Sequence, residues 1–128
     1  MATTTLTADT FQSAIEKKGI VIIDLWAAWC GPCRAFAPIF EAASKKYPDI
    51  TWGKVDTDAE QDLAAALQIR SIPTLMVFRD GILLFAQPGM LPAAAIDQLV
   101  EKVRALDMDE VRRQIQQDRA KTSRAKVA

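Results

Sequence analysis

The chain has no histidine among its 128 residues and only two cysteines. Without imidazole, the Ser–His and Cys–His nucleophilic mechanisms and imidazole ligation of a metal are excluded. Two thiols fall short of the four ligands that zinc usually takes, so a zinc site would need a second chain and we expect no metal. These absences leave the two cysteines as the groups most able to carry chemistry.

No excess of charge of either sign is present, because 16 basic and 16 acidic residues give a formal net charge of zero. Bulk charge therefore does not favour nucleic acid or a membrane surface as a partner. The longest apolar region, residues 19–30, is interrupted by Asp24 and is too short to span a bilayer. The start of the chain has neither the basic residues nor the apolar stretch of a signal peptide, so we expect a cytoplasmic protein. Structural disulfides are rare in that compartment, which favours a redox or metal role for a close cysteine pair.

Half of the residues are apolar, and this length is typical of one domain with a real core. Periodicity and turn residues predict an α/β fold, with a mixed central β-sheet that is parallel at a crossover, antiparallel at a hairpin and flanked by helices. The threonine-rich start is expected to add a short edge strand. The predicted helices are 9–18 with Asp9 as N-cap, about 33–47 with Pro38 inside, 60–69 and 91–106; the predicted strands are 20–26, 50–56, 74–78 and 82–86.

Residues 107–128 differ in composition from the domain expected over 1–106. Met108, Val111 and Ile115 recur at spacings of three and four, which predicts a helix to about Gln117 that docks on the domain or on a second copy. A disordered, solvated basic tail is expected to follow. The tail contains Arg119, Lys121, Arg124 and Lys126.

The two cysteines, Cys30 and Cys33, are separated by Gly31 and Pro32. If Cys30 ends a strand and caps the next helix, Cys33 falls in the first helical turn, and the two sulfurs can form a disulfide. Free backbone N–H groups at the helix start would stabilise a Cys30 thiolate, which we expect to be partly exposed. Cys30 is then the predicted nucleophile and the more shielded Cys33 the resolving thiol. Pro32 stiffens this loop, and Gly31 leaves space for an incoming sulfur.

The motif WCGPC at residues 29–33 resembles the active-site motif of the thioredoxin family. The resemblance extends over about residues 5–106 and includes Asp24, Pro38, Lys54, the IPT sequence at 72–74, the DG turn at 80–81 and Gly89. It implies a thioredoxin fold and reduction of protein disulfides. It also implies disulfide-containing protein substrates and a thioredoxin reductase that uses NADPH. We expect no nucleotide bound to this chain, which lacks the glycine-rich motifs of nucleotide-binding loops.

The resemblance also suggests roles for residues around the cysteines. Asp24, in an apolar strand, is expected to be buried with a raised proton affinity and to serve as acid and base for Cys33. Lys54 either tunes Asp24 by its charge or is an ordinary solvated lysine. Trp26 is expected to pack beneath the site.

The predicted substrate-binding residues are Trp29, Gly31, Pro32, Ile72, Pro73, Thr74 and Gly89. Trp29 either forms an exposed apolar rim or belongs to the core. A cis bond before Pro73, implied by the resemblance, would present the backbone of Ile72 and Thr74 to an extended substrate. Residues 85–92 depart from the family pattern, since Pro88 and Met90 alter the wall beside Gly89.

Two other functions fit the same sequence. The first is a specialised oxidoreductase of this fold that serves one target, or acts as an oxidant or isomerase. The second is a redox-independent chaperone or binding module in which the extension is the working part. The Gly-Pro pair between the cysteines and the absence of a signal peptide argue against an oxidant.

Overall fold

A computed structural model describes residues 2–127, with side chains up to residue 122. The sheet has five strands in the order β1-β3-β2-β4-β5. The elements are β1 (Thr3–Thr5), α1 (Ala8–Ile15), β2 (Ile20–Trp26), α2 (Gly31–Lys46), β3 (Thr51–Asp56), α3 (Gln61–Ala66), β4 (Thr74–Arg79), β5 (Ile82–Pro88), α4 (Ala93–Ala105) and α5 (Met108–Val127).

The sheet is mixed, as predicted. The central strand β2 pairs in parallel with β3 and antiparallel with β4. β1 is the expected short edge strand, and it lies parallel to β3. β2 is a continuous β-branched and apolar run that is buried on both faces, as is typical of a central strand. Because β2 ends where β4 begins, Leu25 lies opposite Thr74, and the loops after β2 and before β4 meet at one edge of the sheet.

The core has two layers, one on each face of the sheet. Alternation along β2 sends Ile22 to one face and Ile23 to the other. The first layer is completed by residues from α2, β3 and α4, namely Phe36, Phe40, Trp52, Ile96 and Val100. The second is completed by residues from α1, β3 and β4, namely Phe11, Val55, Met76 and Phe78. Burial of each large apolar side chain contributes about 1.5–3 kcal/mol, so these layers fix the sheet that carries the site.

Each of the four helices predicted in the domain starts one or two residues from its predicted position. α1 begins at Ala8 with Thr7, not Asp9, as N-cap, because Thr7 and Thr10 form a reciprocal capping box. The Thr7 amide donates to Thr10 Oγ1 at 2.9 Å. α2 begins at Gly31, two residues earlier than the periodicity predicted, and Cys30 is its N-cap, as expected.

The C-terminal helix α5 is longer than predicted. It continues to Val127, whereas we expected it to end near Gln117 and to give way to disorder. Asp107 caps its start, with Oδ1 accepting from the amides of Asp109 and Glu110 at 3.0 and 3.3 Å. Alanine, arginine, lysine and glutamine then sustain it, since they are strong helix formers. The disorder predicted from Gln117 onward is therefore wrong over the residues that α5 covers.

The first turns of α5 dock on the domain itself. Met108 is buried, while Val111 and Ile115 are half-buried. Arg112 donates to Asp80 Oδ2 in the β4–β5 turn at 3.3 Å. Further along, Arg119 and Lys121 are exposed, as predicted for the basic segment. The side chains of the remaining basic residues, Arg124 and Lys126, lie outside those that the structure describes.

Candidate active site

The loop that joins β2 to α2 holds both cysteines, which form a disulfide with their Cα atoms 5.2 Å apart. Cys30 is the N-cap of α2, and its Sγ accepts from the Cys33 amide at 3.2 Å. Pro32 lies in the first turn, where it loses no helical hydrogen bond. After reduction, this amide and the positive end of α2 would stabilise a thiolate at Cys30.

Exposure does not separate the two cysteines, contrary to our expectation that Cys30 is the more open. Cys30 is 4% exposed and Cys33 is 3% exposed. The segment before β4 lies against Cys30, whose Sγ is 3.7 Å from the Ile72 carbonyl oxygen. The difference between the sulfurs is instead one of partners, because Cys30 Sγ faces a free amide at the start of a helix.

The segment before β4 forms the opposite side of the site. The Ile72–Pro73 bond is cis, as the resemblance implied. Thr74 follows as the first residue of β4 and is buried. Gly89 donates its amide to the Pro73 carbonyl at 2.8 Å and has φ +96°, a conformation that favours glycine. The structure therefore brings four of the predicted substrate-binding residues to the same edge as Cys30.

The apolar rim around the disulfide is exposed. Trp29 is 67% exposed, which confirms the rim over the core as its place. Gly31 and Pro32 are exposed beside it, and a Cβ built on Gly31 would meet no atom within 4 Å. On the far side, Met90 is 41% exposed directly after Gly89. Such an apolar surface suits an interaction partner better than bulk water.

Asp58 is a site residue that our sequence analysis missed. Its Oδ1 accepts from Trp29 Nε1 at 3.3 Å, which fixes the orientation of the exposed indole. The signal available was its position two residues after β3, because the carboxyl ends of the parallel strands β2 and β3 meet at one edge.

Asp24 lies beneath the disulfide loop on β2 and has no exposed surface. Neither carboxyl oxygen has a hydrogen-bond partner among the described residues. Burial raises the pKa of Asp24 from its ordinary 3.8 to about 6, and the positive charge of Lys54 opposes that rise. The carboxyl group can therefore exchange a proton near neutral pH.

Lys54 is the partner of Asp24 in the register of β3 with β2. Its ammonium nevertheless lies over the Trp26 ring, with Nζ 5.1 Å from the centroid. Trp26 is half-buried and packs against the cluster that contains both cysteines. The lysine thus acts on Asp24 by charge across space.

Comparison with known proteins shows which family has this arrangement of residues. The protein-family model described as Thioredoxin matches residues 2–102. The chain belongs to the thioredoxin family. It is similar to a Streptomyces coelicolor protein that carries the name thioredoxin 2, with 46% identity over 119 residues that cover 93% of this chain and 89% of that one. It is also similar to the thioredoxin of Bacillus subtilis, with 38% identity over 70% of this chain and 88% of that one.

Solved structures support the same assignment. The chain is similar to Plasmodium falciparum thioredoxin at a TM-score of 0.70 and 35% identity, over 77% of this chain and 96% of that one. The thioredoxin fold is therefore confirmed. Family membership and the cysteine pair at disulfide distance make the chain a thiol–disulfide oxidoreductase. The Streptomyces match is longer than residues 1–106, so it includes part of the extension.

Residues 2–127, the part of the chain that the structure describes, also bear on two other kinds of site. Over that part, no cluster of three or more acidic, cysteine or histidine side chains could hold a metal ion. None of the described helices is both long and apolar enough to cross a membrane.

Proposed function

We propose that this thioredoxin-family protein reduces disulfides in other proteins by cycling between a Cys30–Cys33 dithiol and disulfide. The Cys30 thiolate attacks one sulfur of the target disulfide, and the other target sulfur leaves as a thiolate. Cys33, once deprotonated, attacks Cys30 Sγ and releases the second target thiolate. Two electrons pass from the dithiol to the target, and the Cys30–Cys33 disulfide remains. The observation that carries this proposal is the cysteine pair at the start of α2, with the first sulfur facing a free amide.

Asp24 is the proton acceptor for Cys33 in the second step, through a water molecule. Its pKa of about 6 supports this role, because a base with a pKa near the working pH is the most effective. Lys54 tunes that pKa by its charge. Neither residue contacts the target, so their effect belongs to release of the product.

The substrate is an extended protein segment that contains the reactive disulfide. Ile72 and Thr74 offer backbone groups opposite Cys30, in the manner of strand addition, and the cis bond before Pro73 presents them. Trp29, Gly31, Pro32 and Gly89 form the exposed walls. Met90 enlarges the apolar wall beside Gly89, which favours targets with an apolar residue next to the cysteine.

A thioredoxin reductase returns the protein to the dithiol with electrons from NADPH. Family membership supports such a partner. The chain itself binds neither nucleotide nor metal in this scheme, and it acts in the cytoplasm without nucleic acid or membrane. Residues 1–106 form the working domain, and residues 107–128 are an accessory to it.

The test is reduction of insulin disulfides with NADPH and a thioredoxin reductase. Precipitation of insulin and oxidation of NADPH are the two readouts. We expect turnover by the wild-type chain and none by a variant with Cys30→Ser and Cys33→Ser. Absence of turnover by the folded wild-type chain would contradict the proposal.

The same double variant separates the alternatives. A redox-independent chaperone would keep its effect on aggregation of a client protein without either thiol. A target-specific oxidoreductase would reduce its own partner while leaving insulin untouched.

A further inference from the structure

The ammonium of Lys54 has an unexpected neighbour. Its Nζ lies 5.1 Å from the centroid of the Trp26 ring. The strand register explains the contact, because Lys54 is opposite Asp24, and Trp26 lies two residues further along β2 on the same face as Asp24. Among the ion pairs of the described residues, none joins Lys54 to Asp24.

An unrestrained lysine would not stay at this place. Its ammonium is a strongly hydrated charge on a flexible stem, and Lys54 is half-buried, so part of its hydration is lost. The face of an indole ring attracts a cation and compensates part of that loss. The ring therefore supplies a reason for the ammonium to remain near Asp24 without forming an ion pair.

We propose that Trp26 is a positioning residue for Asp24, because the face of its indole ring holds the Lys54 ammonium close to the carboxylate and so sets the charge of Asp24 during target release. This inference rests on the role of Asp24 in the proposed function. It assigns to Trp26 an electrostatic task in addition to its packing beneath the cysteines.

Among the described residues, Lys54 is the charged group that acts on the pKa of Asp24. On β4 the residue opposite Asp24 is Leu75, which carries no charge. On β3, the carboxylate of Asp56 accepts from two amides of the loop that follows. At the start of α2, the two cysteines are joined as a disulfide and do not titrate in this state. A change in the position of Lys54 should therefore appear directly in the pKa of Asp24.

The test is a double-mutant cycle on the pKa of Asp24. Carbon-13 NMR of the Asp24 carboxyl group in the oxidised protein measures that pKa in each variant. Lys54→Met in the wild-type background should raise the titration midpoint by about one pH unit, because it removes an opposite charge. In a Trp26→Leu background, we expect the same change at Lys54 to raise the midpoint by less than half as much. An equal or larger rise in that background would overturn the proposal.

Three further variants keep the result interpretable. Trp29→Leu removes the other indole near the cysteines, which makes no cation–π contact among the described residues, so the effect of Lys54→Met should persist in full. Lys54→Arg keeps the charge over the ring and should retain the wild-type midpoint. If Trp26→Leu fails to fold, Trp26→Phe replaces it and should give an intermediate effect, since phenylalanine binds cations less well. An unreduced effect in the Phe background would equally overturn the proposal.

Failure of this inference can be told apart from failure of the proposed function. The titration uses the oxidised protein without substrate or reductase, so it does not depend on insulin reduction. If Lys54→Met raises the midpoint equally with and without Trp26 in a protein that still reduces insulin, Trp26 does not position Lys54, and the proposed function stands. A reduced effect in a protein without reductase activity would leave the positioning intact and the function wrong.

Discussion

At the scale of single residues, the backbone makes two almost equally buried cysteines chemically different. Cys30 Sγ accepts from the amide of Cys33 at the start of α2, so its negative charge is compensated there. Cys33 lies within the first turn, where the helix offers no such free group to its sulfur. The order of attack in the proposed reaction follows from this asymmetry.

Cys33→Ser should accumulate mixed disulfides between Cys30 and its targets, because the first attack proceeds and the release step has lost its thiol. Cys30→Ser should accumulate none and should lose turnover. Non-reducing electrophoresis followed by mass spectrometry of the linked cysteine measures both. Equal trapping by the two variants would mean that the roles are assigned wrongly.

Asp24 should lower the stability of the protein at neutral and alkaline pH. Its folded pKa is about 6 and its ordinary value 3.8, so the folded state binds a proton more tightly than the unfolded state. Stability is therefore lost as pH rises through this window, by about 3 kcal/mol at most. Asp24→Asn removes that loss, so the variant should gain stability over the wild type between about pH 4 and pH 6 and keep the gain above.

Denaturant unfolding of the oxidised protein at pH 4 and pH 8 measures this effect. The amide of asparagine can change stability by a constant amount, so the quantity to compare is the difference between the two pH values. If the stability gained by Asp24→Asn is the same at pH 4 and at pH 8, Asp24 is not the group that titrates.

At the scale of elements, the connection from β5 to α4 shapes the wall of the site. Met90 lies there with a large exposed side chain, held next to the substrate edge by the bond from Gly89 to Pro73. Met90→Ala should raise the KM for protein targets about fivefold, since partial burial of a methionine is worth about 1 kcal/mol, while kcat changes little.

Leu83→Ala is the matched control for Met90. Leu83 is similarly exposed on β5 but pairs with Phe78, close to the β4–β5 turn and away from the cysteines. Its loss should leave the KM unchanged. Steady-state reduction of insulin by both variants gives the comparison, and an equal effect of the two would remove Met90 from the target surface.

Local patterns in the sequence were enough to predict the elements but not their contacts. The apolar run of β2 and the DG turn of the hairpin predicted strands that the structure has. The start of α1 was misplaced because Thr7 and Asp9 are both good N-caps, and the side chain of Thr10 decides between them. The bond from Trp29 to Asp58 joins residues 29 positions apart, so only the packing of β2 beside β3 brings it about.

At the scale of the whole molecule, the extension is fastened at the end of the sheet remote from the cysteines. Met108 is buried and Arg112 contacts Asp80 in the β4–β5 turn, while the disulfide faces the other end of β4. Removal of residues 107–128 should therefore leave insulin reduction close to that of the full chain. It should lower the free energy of unfolding by about 2 kcal/mol, the value of one buried methionine.

Removal of residues 117–128 alone is the control, because it keeps the three apolar residues that dock. We expect this shorter deletion to change neither stability nor turnover. Loss of reduction in a folded 1–106 chain would place the extension in the working site. Chemical denaturation and the insulin assay, applied to the full chain and to the two shortened chains, measure the stability and turnover of each.

The place where α4 ends makes the end of the domain, before the extension, a natural attachment point, because Arg79 at the end of β4 donates to the Leu106 carbonyl at 3.1 Å. β4 separates the substrate edge from the turn that α5 contacts, and its six residues span about 20 Å. A fluorescent protein, a surface linker or a second enzyme joined after Leu106, in place of the extension, would thus be anchored away from the edge that receives targets. The chain could be immobilised on a bead through this end and still meet large folded substrates with its cysteines.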